Sequence, residues 1–199
     1  MAKRMLTYLY LSGWLLTLCS FRYGYGQAQP TTKTYSKSSP TLPVTVRTIE
    51  QSVTKIGGKA TVLKYLCAQN PATDDFTALN NISAGSKEWV DLAVKMLPYS
   101  DAACSESLHS CLGEAMQKQP RNVLPYVGKS ARLTPEQICV PFISEDLPNA
   151  EALRQVRRSK AALLSVKDKD LEKQCQACLK EVATYEKAIL ADMAKKKNK

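Results

Sequence analysis

Leu171, Cys175, Cys178, Val182, Tyr185, Ile189 and Met193 recur at steps of four and three along the stretch from Asp170 to Met193. That spacing places all seven on one stripe of a helix about six turns long. Two of the seven are cysteines one turn apart, so the helix can be tied to two different neighbours. A chain with such a stripe must supply other helices to cover it. The stripe is therefore expected to be the central staple of a small all-α domain.

The N-terminal residues bear on the compartment. Lys3 and Arg4 precede a mainly apolar run from Met5 to Phe21, and Gly26-Gln27-Ala28 places small residues at the −3 and −1 positions of a cleavage site. This is the anatomy of a secretory signal peptide over residues 1–28. The competing reading is a retained membrane anchor, for which an apolar run of about 17 residues lies at the short end. Residue 18 is Leu where a lipoprotein site before Cys19 would carry a small residue. Residues 29–45 are rich in Ser, Thr, Lys and Pro and read as a flexible linker, since they bury too little to offset their ordering entropy.

Export changes the meaning of the cysteines. Cys67, Cys104, Cys111, Cys139, Cys175 and Cys178 remain after residue 28, and an even number in an exported chain reads as a disulfide framework. Five of the six fall on helical stripes. Cys104 and Cys111 are seven apart on one expected helix, roughly 10 Å along its axis, too far to bond. Cys175 and Cys178 would form a strained one-turn bridge. Among the remaining pairings we favour Cys67–Cys104, Cys111–Cys175 and Cys139–Cys178, which leaves no free thiol and uses the last helix to hold two earlier ones.

The body, residues 46–193, reads as five to seven helices ending in a long helical hairpin. Thr48-Ile-Glu-Gln51 has the capping-box pattern, and Ile49, Val53, Ile56, Ala60, Leu63 and Cys67 continue as one stripe, weakened or bent at Gly57-Gly58. Trp89, Ala93 and Met96 mark a second stripe, stopped by Pro98. Cys104, Leu108, Cys111 and Ala115 mark a third, begun at Ser100 or Asp101. Pro120 and Thr134-Pro135-Glu136-Gln137 open two short helices. Ala152, Val156, Ser159, Leu163 and Val166 form the first arm of the hairpin, turning at Lys167-Asp168-Lys169. No segment alternates convincingly over a strand length.

Charge narrows the partners. The chain carries +10 overall; removal of residues 1–28 leaves +7, and Lys195, Lys196, Lys197 and Lys199 account for four of these. The basic tail 194–199 reads as a solvated helix end, so the body lacks the charge excess that a nucleic-acid binder shows. Arg154, Arg157, Arg158 and Lys160 lie off the buried stripe and read as a solvated face. Membrane contact is expected only through a retained signal segment or the lysine tail.

The chemistry-bearing residues do not assemble into a catalytic set. Cys175-Gln-Ala-Cys178 matches a dithiol spacing, but it sits about two turns inside a helix with no strand before it, whereas redox thiolates lie exposed at helix N-termini. Leu179 stands where haem attachment needs His. Zinc remains chemically open to thiols, although pairing is the commoner fate of exported cysteines. His109, the only histidine, lies near Glu106 on a helix rim. Glu114 is an ordinary helical acid, and Asn81-Ile82-Ser83 is a glycosylation triplet that is common by chance. No cofactor is expected.

The sequence thus points to an exported, non-enzymatic helical protein that binds another macromolecule, a protein, in the periplasm or outside the cell. In general design it resembles small periplasmic proteins such as inhibitor and immunity proteins. A thiol oxidoreductase using Cys175 and Cys178, and an envelope scaffold, are the alternatives from other classes.

Overall fold

Thr45 caps the first described helix by closing a capping box with Thr48: the Thr48 backbone N–H donates to Thr45 Oγ1 at 3.1 Å, and Thr48 Oγ1 accepts from the Thr45 N–H at 2.7 Å. The computed structural model describes residues 44–67, 76–141 and 147–197. The expected signal segment and all of the linker except Val44 and Thr45 lie outside them. Leu42–Lys199 forms one compact unit.

The described residues are all-α, with no strand. The helices are α1 (Val46–Ile56), α2 (Gly58–Tyr65), α3 (Thr77–Ala84), α4 (Lys87–Met96), α5 (Ala102–Lys118), α6 (Pro120–Val123), α7 (Pro135–Cys139), α8 (Asn149–Ser165) and α9 (Glu172–Lys197). Seven of these nine have eight residues or more. The helix expected over Thr48–Cys67 is instead two. Gly57 has φ +84° and ψ 160°, a backbone state close to glycine's own, and it ends α1 where α2 begins. The heptad register is lost there: Ile56, Ala60 and Leu63 are exposed, and Thr61, Val62 and Leu66 are buried in their place.

α5, not α9, is the central helix. Asp101 caps it by accepting the Cys104 N–H at 3.0 Å. Cys104, Leu108, Cys111, Leu112, Gly113, Ala115 and Met116 are all buried, so its apolar surface wraps more than one face and meets α3, α4, α6, α7 and α8. α7 passes Gly113 at ordinary contact distance: a Cβ there would lie 3.9 Å from the Ile138 carbonyl oxygen and 3.8 Å from that of Val140. Each large side chain buried this way contributes roughly 1.5–3 kcal/mol.

α8 and α9 form the terminal hairpin. Asn149 Nδ2 donates to Asp192 Oδ2 at 2.8 Å, Arg157 and Lys160 reach Glu186 at 3.2 and 2.8 Å, and the Cys175 thiol donates to the Leu163 carbonyl at 3.2 Å. These contacts climb one helix as they descend the other, which fixes an antiparallel register. Along the stripe of α9, Cys175, Cys178 and Val182 are buried, but Tyr185 is exposed and Ile189 and Met193 are half-buried. Among the described residues, the polar ties to the far half of α9 come from α8, at Asn149, Arg157 and Lys160. The helix continues through Lys197, so Lys195, Lys196 and Lys197 of the basic tail belong to its last turn, and Lys199 lies outside the described residues.

Candidate functional site

Two disulfides staple the bundle. Cys67, just past α2, is bonded to Cys104 on α5, with Cα atoms 4.5 Å apart, and Cys139 at the end of α7 is bonded to Cys178 on α9, with Cα atoms 5.3 Å apart. Cys111 and Cys175 are free and buried, so the third bridge expected between them is not formed, and two thiols remain. The reason is what each faces. Cys111 is hydrogen-bonded to Ser83 on α3, whereas Cys175 is directed at the α8 backbone. Burial pushes both thiols above their ordinary range; the Ser83 hydrogen bond opposes this at Cys111, and the Lys167 charge opposes it at Cys175.

Cys175 and Cys178 lie in the first two turns of α9, nearer its start than the sequence suggests. They are not bonded to each other, Cys178 is fully buried, and the raised Cys175 thiol is the reverse of an activated thiolate. Cys67, Asp101 and Cys104 bring three ligand atoms within 4.8 Å of one another. Both sulfurs are spent on their mutual bond, and the Asp101 carboxylate caps α5, so this set is not free to take a metal. The Asn81–Ser83 triplet lies inside α3 with Ser83 buried.

The remaining polar clusters are structural. His109 donates from Nε2 to the Arg132 carbonyl at 2.7 Å, tying α5 to the loop before α7. Tyr126 donates to Asp91, which also accepts from Lys87. The bond to Asp91 holds the Tyr126 hydroxyl above its ordinary pKa. Burial works against the Asp91 charge, but the bonds from Lys87 and Tyr126 outweigh it and hold the carboxyl low. That leaves a protonated phenol and an ionised acid, neither poised to move a proton at neutral pH.

The surface feature with most chemistry to offer is a groove between α1 and α2, about 240 Å³ in volume, with Val44, Ile56 and Tyr65 on its walls and Lys55 and Lys64 at its edge. The two helices are clamped from inside by buried hydroxyls: Thr61 Oγ1 donates to the Gly57 carbonyl at 2.8 Å and lies 3.1 Å from Ser52 Oγ. Gly57 and Gly58 set the bend that opens the groove. Gly58 lies against the ring of Tyr99, so Ile56, 50% exposed, and Tyr99, 47% exposed, flank the same joint. Residues 44–67 carry four cations, Arg47, Lys55, Lys59 and Lys64, against one acid, Glu50, which is itself paired with Lys95 at 3.0 Å. The groove thus mixes apolar Val44, Ile56 and Tyr65 with polar Thr48, Gln51 and Ser52, in a segment with an excess of cations. Sequence reading missed it because the stripe through Ile56 and Leu63 looked like core; the Gly57-Gly58 pair was the available signal.

A second recess, about 420 Å³, lies between α5 and α8 and is more polar, with Gln117, Lys118, Gln155 and Arg158 on its sides. Arg154, Arg157 and Arg158 are exposed and Lys160 is half-buried; Arg157 and Lys160 are engaged by Glu186, and Arg154 by Glu151. No helix among the described residues is long and apolar enough to cross a membrane. Comparison with protein-family models, curated proteins and solved structures finds no match.

Proposed function

We propose that this is an exported, non-enzymatic binding protein that takes an acidic, partly apolar segment of another protein into the groove between α1 and α2. Export rests on the signal-peptide pattern of residues 1–28 together with the two disulfides, which persist in oxidising compartments. The periplasm or the extracellular space is the proposed location.

The observation that carries the reading is the pairing of exposed Ile56 with Lys55 and Lys64 on one groove. An isolated exposed apolar side chain is ordinary. One beside a concave, cation-edged surface supplies both the desolvation that gives affinity and the charge that selects a partner. The stapled body keeps the groove preorganised, which lowers the entropy cost of association.

The test is a photo-crosslinking residue placed at position 56 in cells, with position 164 on α8 as the control. A discrete adduct with one protein is expected from position 56 alone, and Lys55→Glu with Lys64→Glu should abolish it. No adduct, or the same adduct from both positions, would overturn the reading. Adducts that form without light and disappear under reductant would instead favour thiol exchange through Cys175 or Cys178.

A further inference from the structure

We propose that the C-terminal end of α9 binds the surface of an anionic phospholipid bilayer. The hairpin register supplies the first observation. Asn149, the first residue of α8, is paired with Asp192, so from Met193 onward α9 outruns its partner helix. The remaining residues to Lys197 project about 7–8 Å at helical rise. Among the described residues no other helix covers this end.

Its composition suits a charged, layered surface. Residues 187–199 hold five lysines and one acid. Lys195 and Lys196 are exposed; Lys196 lies 2.8 Å from Asp192, which partly satisfies that one acid and leaves the net charge of the segment at +4. On another face of the same helix, about 100° or more around from Lys195 and Lys196, runs a short apolar strip. Ala183, Leu190 and Ala194 are exposed and fall within about 40° of one another around the helix. Leu190, 44% exposed, is the strip's one large side chain. Lys187 borders the strip and can lay its stem along it while its ammonium stays in water.

A helix end with lysines on one face and a narrow apolar strip on another is the arrangement that lies in a membrane interface. The lysines are drawn to anionic headgroups, and the strip enters the headgroup–acyl boundary. A nucleic acid would use the charge alone and leave the strip in water. The body of the protein would then stand off the bilayer, with the groove between α1 and α2 at a different place on the bundle. The inference does not depend on that groove having a partner.

The experiment is flotation of the protein, as isolated from cells, with vesicles of phosphatidylglycerol and phosphatidylcholine, and with vesicles of phosphatidylcholine alone. Binding is expected only to the first and should fall as salt is raised. Lys195→Gln with Lys196→Gln and Lys197→Gln should weaken it about 100-fold, at roughly fivefold per lysine near the surface. Leu190→Ser should weaken it further. These positions are exposed or in the final helical turn, and an unchanged thermal midpoint in each variant shows that the fold is kept. Equal binding to both vesicle types, binding that the lysine variant retains, or no binding at all would overturn the proposal. So would binding to heparin and vesicles alike with no effect of Leu190→Ser, which would mark a general polyanion contact.

Discussion

Cys175 and Cys178 lie one helical turn apart on α9, and their sulfurs have different partners: Cys178 is bonded to Cys139 on α7, while Cys175 donates to the carbonyl of Leu163 on α8. A single turn of helix thus carries one covalent and one non-covalent tie to two different neighbours. The spacing that resembles a redox dithiol serves here to dock α9 on both sides.

Thiol accounting follows directly. Alkylation of the native protein should leave Cys111 and Cys175 unmodified, because both are buried and hold their protons. Denaturation without reductant should expose those two, and peptides containing Cys67, Cys104, Cys139 and Cys178 should take label only after reduction. Mass spectrometry of the labelled peptides checks this; label on Cys67 or Cys178 before reduction would contradict it. The two raised thiols also favour folding below about pH 8.5 and lose that contribution as pH rises through their folded values. Cys111→Ala with Cys175→Ala should therefore flatten the alkaline decline in stability.

The two disulfides should be worth nearly the same. They close loops of 37 and 39 residues, and loop-closure entropy gives about 4 kcal/mol for each. Replacing either pair with alanines should lower the unfolding free energy by similar amounts, measured in urea. A difference of several kcal/mol would mean that native packing around one bridge, rather than chain entropy, sets its value.

The hairpin was the most legible part of the sequence, because Ala152, Val156, Ser159 and Leu163 repeat without interruption and all four are buried. Helix starts at Asp101 and Thr134 were legible from their caps, whereas α1 begins at the capping box of Thr45, three residues before the Thr48 pattern. The break at Gly57 was read as a weak point when it is a turn, since sequence shows that glycine permits a positive φ without showing that the chain uses it. The central place of α5 was hidden for another reason: its stripe is widened by Leu112, Gly113 and Met116, and how many neighbours a wide stripe meets is a tertiary fact. The pairing state of Cys111 was equally tertiary, since which side chains face it across the seam depends on how the helices pack around α5.

Two glycine substitutions should move stability in opposite directions. Gly57→Ala places a side chain at φ +84° and ψ 160°, a state that costs about 1–3 kcal/mol. Gly113→Ala adds a Cβ at 3.8 Å from the Val140 carbonyl oxygen, which is ordinary contact, and gains helix propensity of up to about 1 kcal/mol. Thermal unfolding should show a lower midpoint for the first and a higher one for the second. A destabilised Gly113→Ala would mean that the approach of α7 to α5 tolerates no added methyl.

Glu186 gives the hairpin a defined acid response. Its carboxylate is hydrogen-bonded by Lys160 and Arg157 from α8, and those bonds, Lys160 first, hold its pKa below the ordinary range. A depressed acid stabilises the fold where it is ionised in both states, above about pH 4.3, and that contribution is lost as pH falls through its lowered folded value. Arg157 and Lys160 are largely solvated, 60% and 41% exposed in their side chains, so solvent screening limits the gain to about 0.5–1 kcal/mol. Glu186→Gln should therefore cost that amount at neutral pH and low salt, less at high salt, and nothing at a pH low enough to protonate the wild-type acid. Urea unfolding of both proteins at two pH values measures it. A deficit that persists unchanged in acid would assign the loss to packing of the side chain between α8 and α9 and not to its charge.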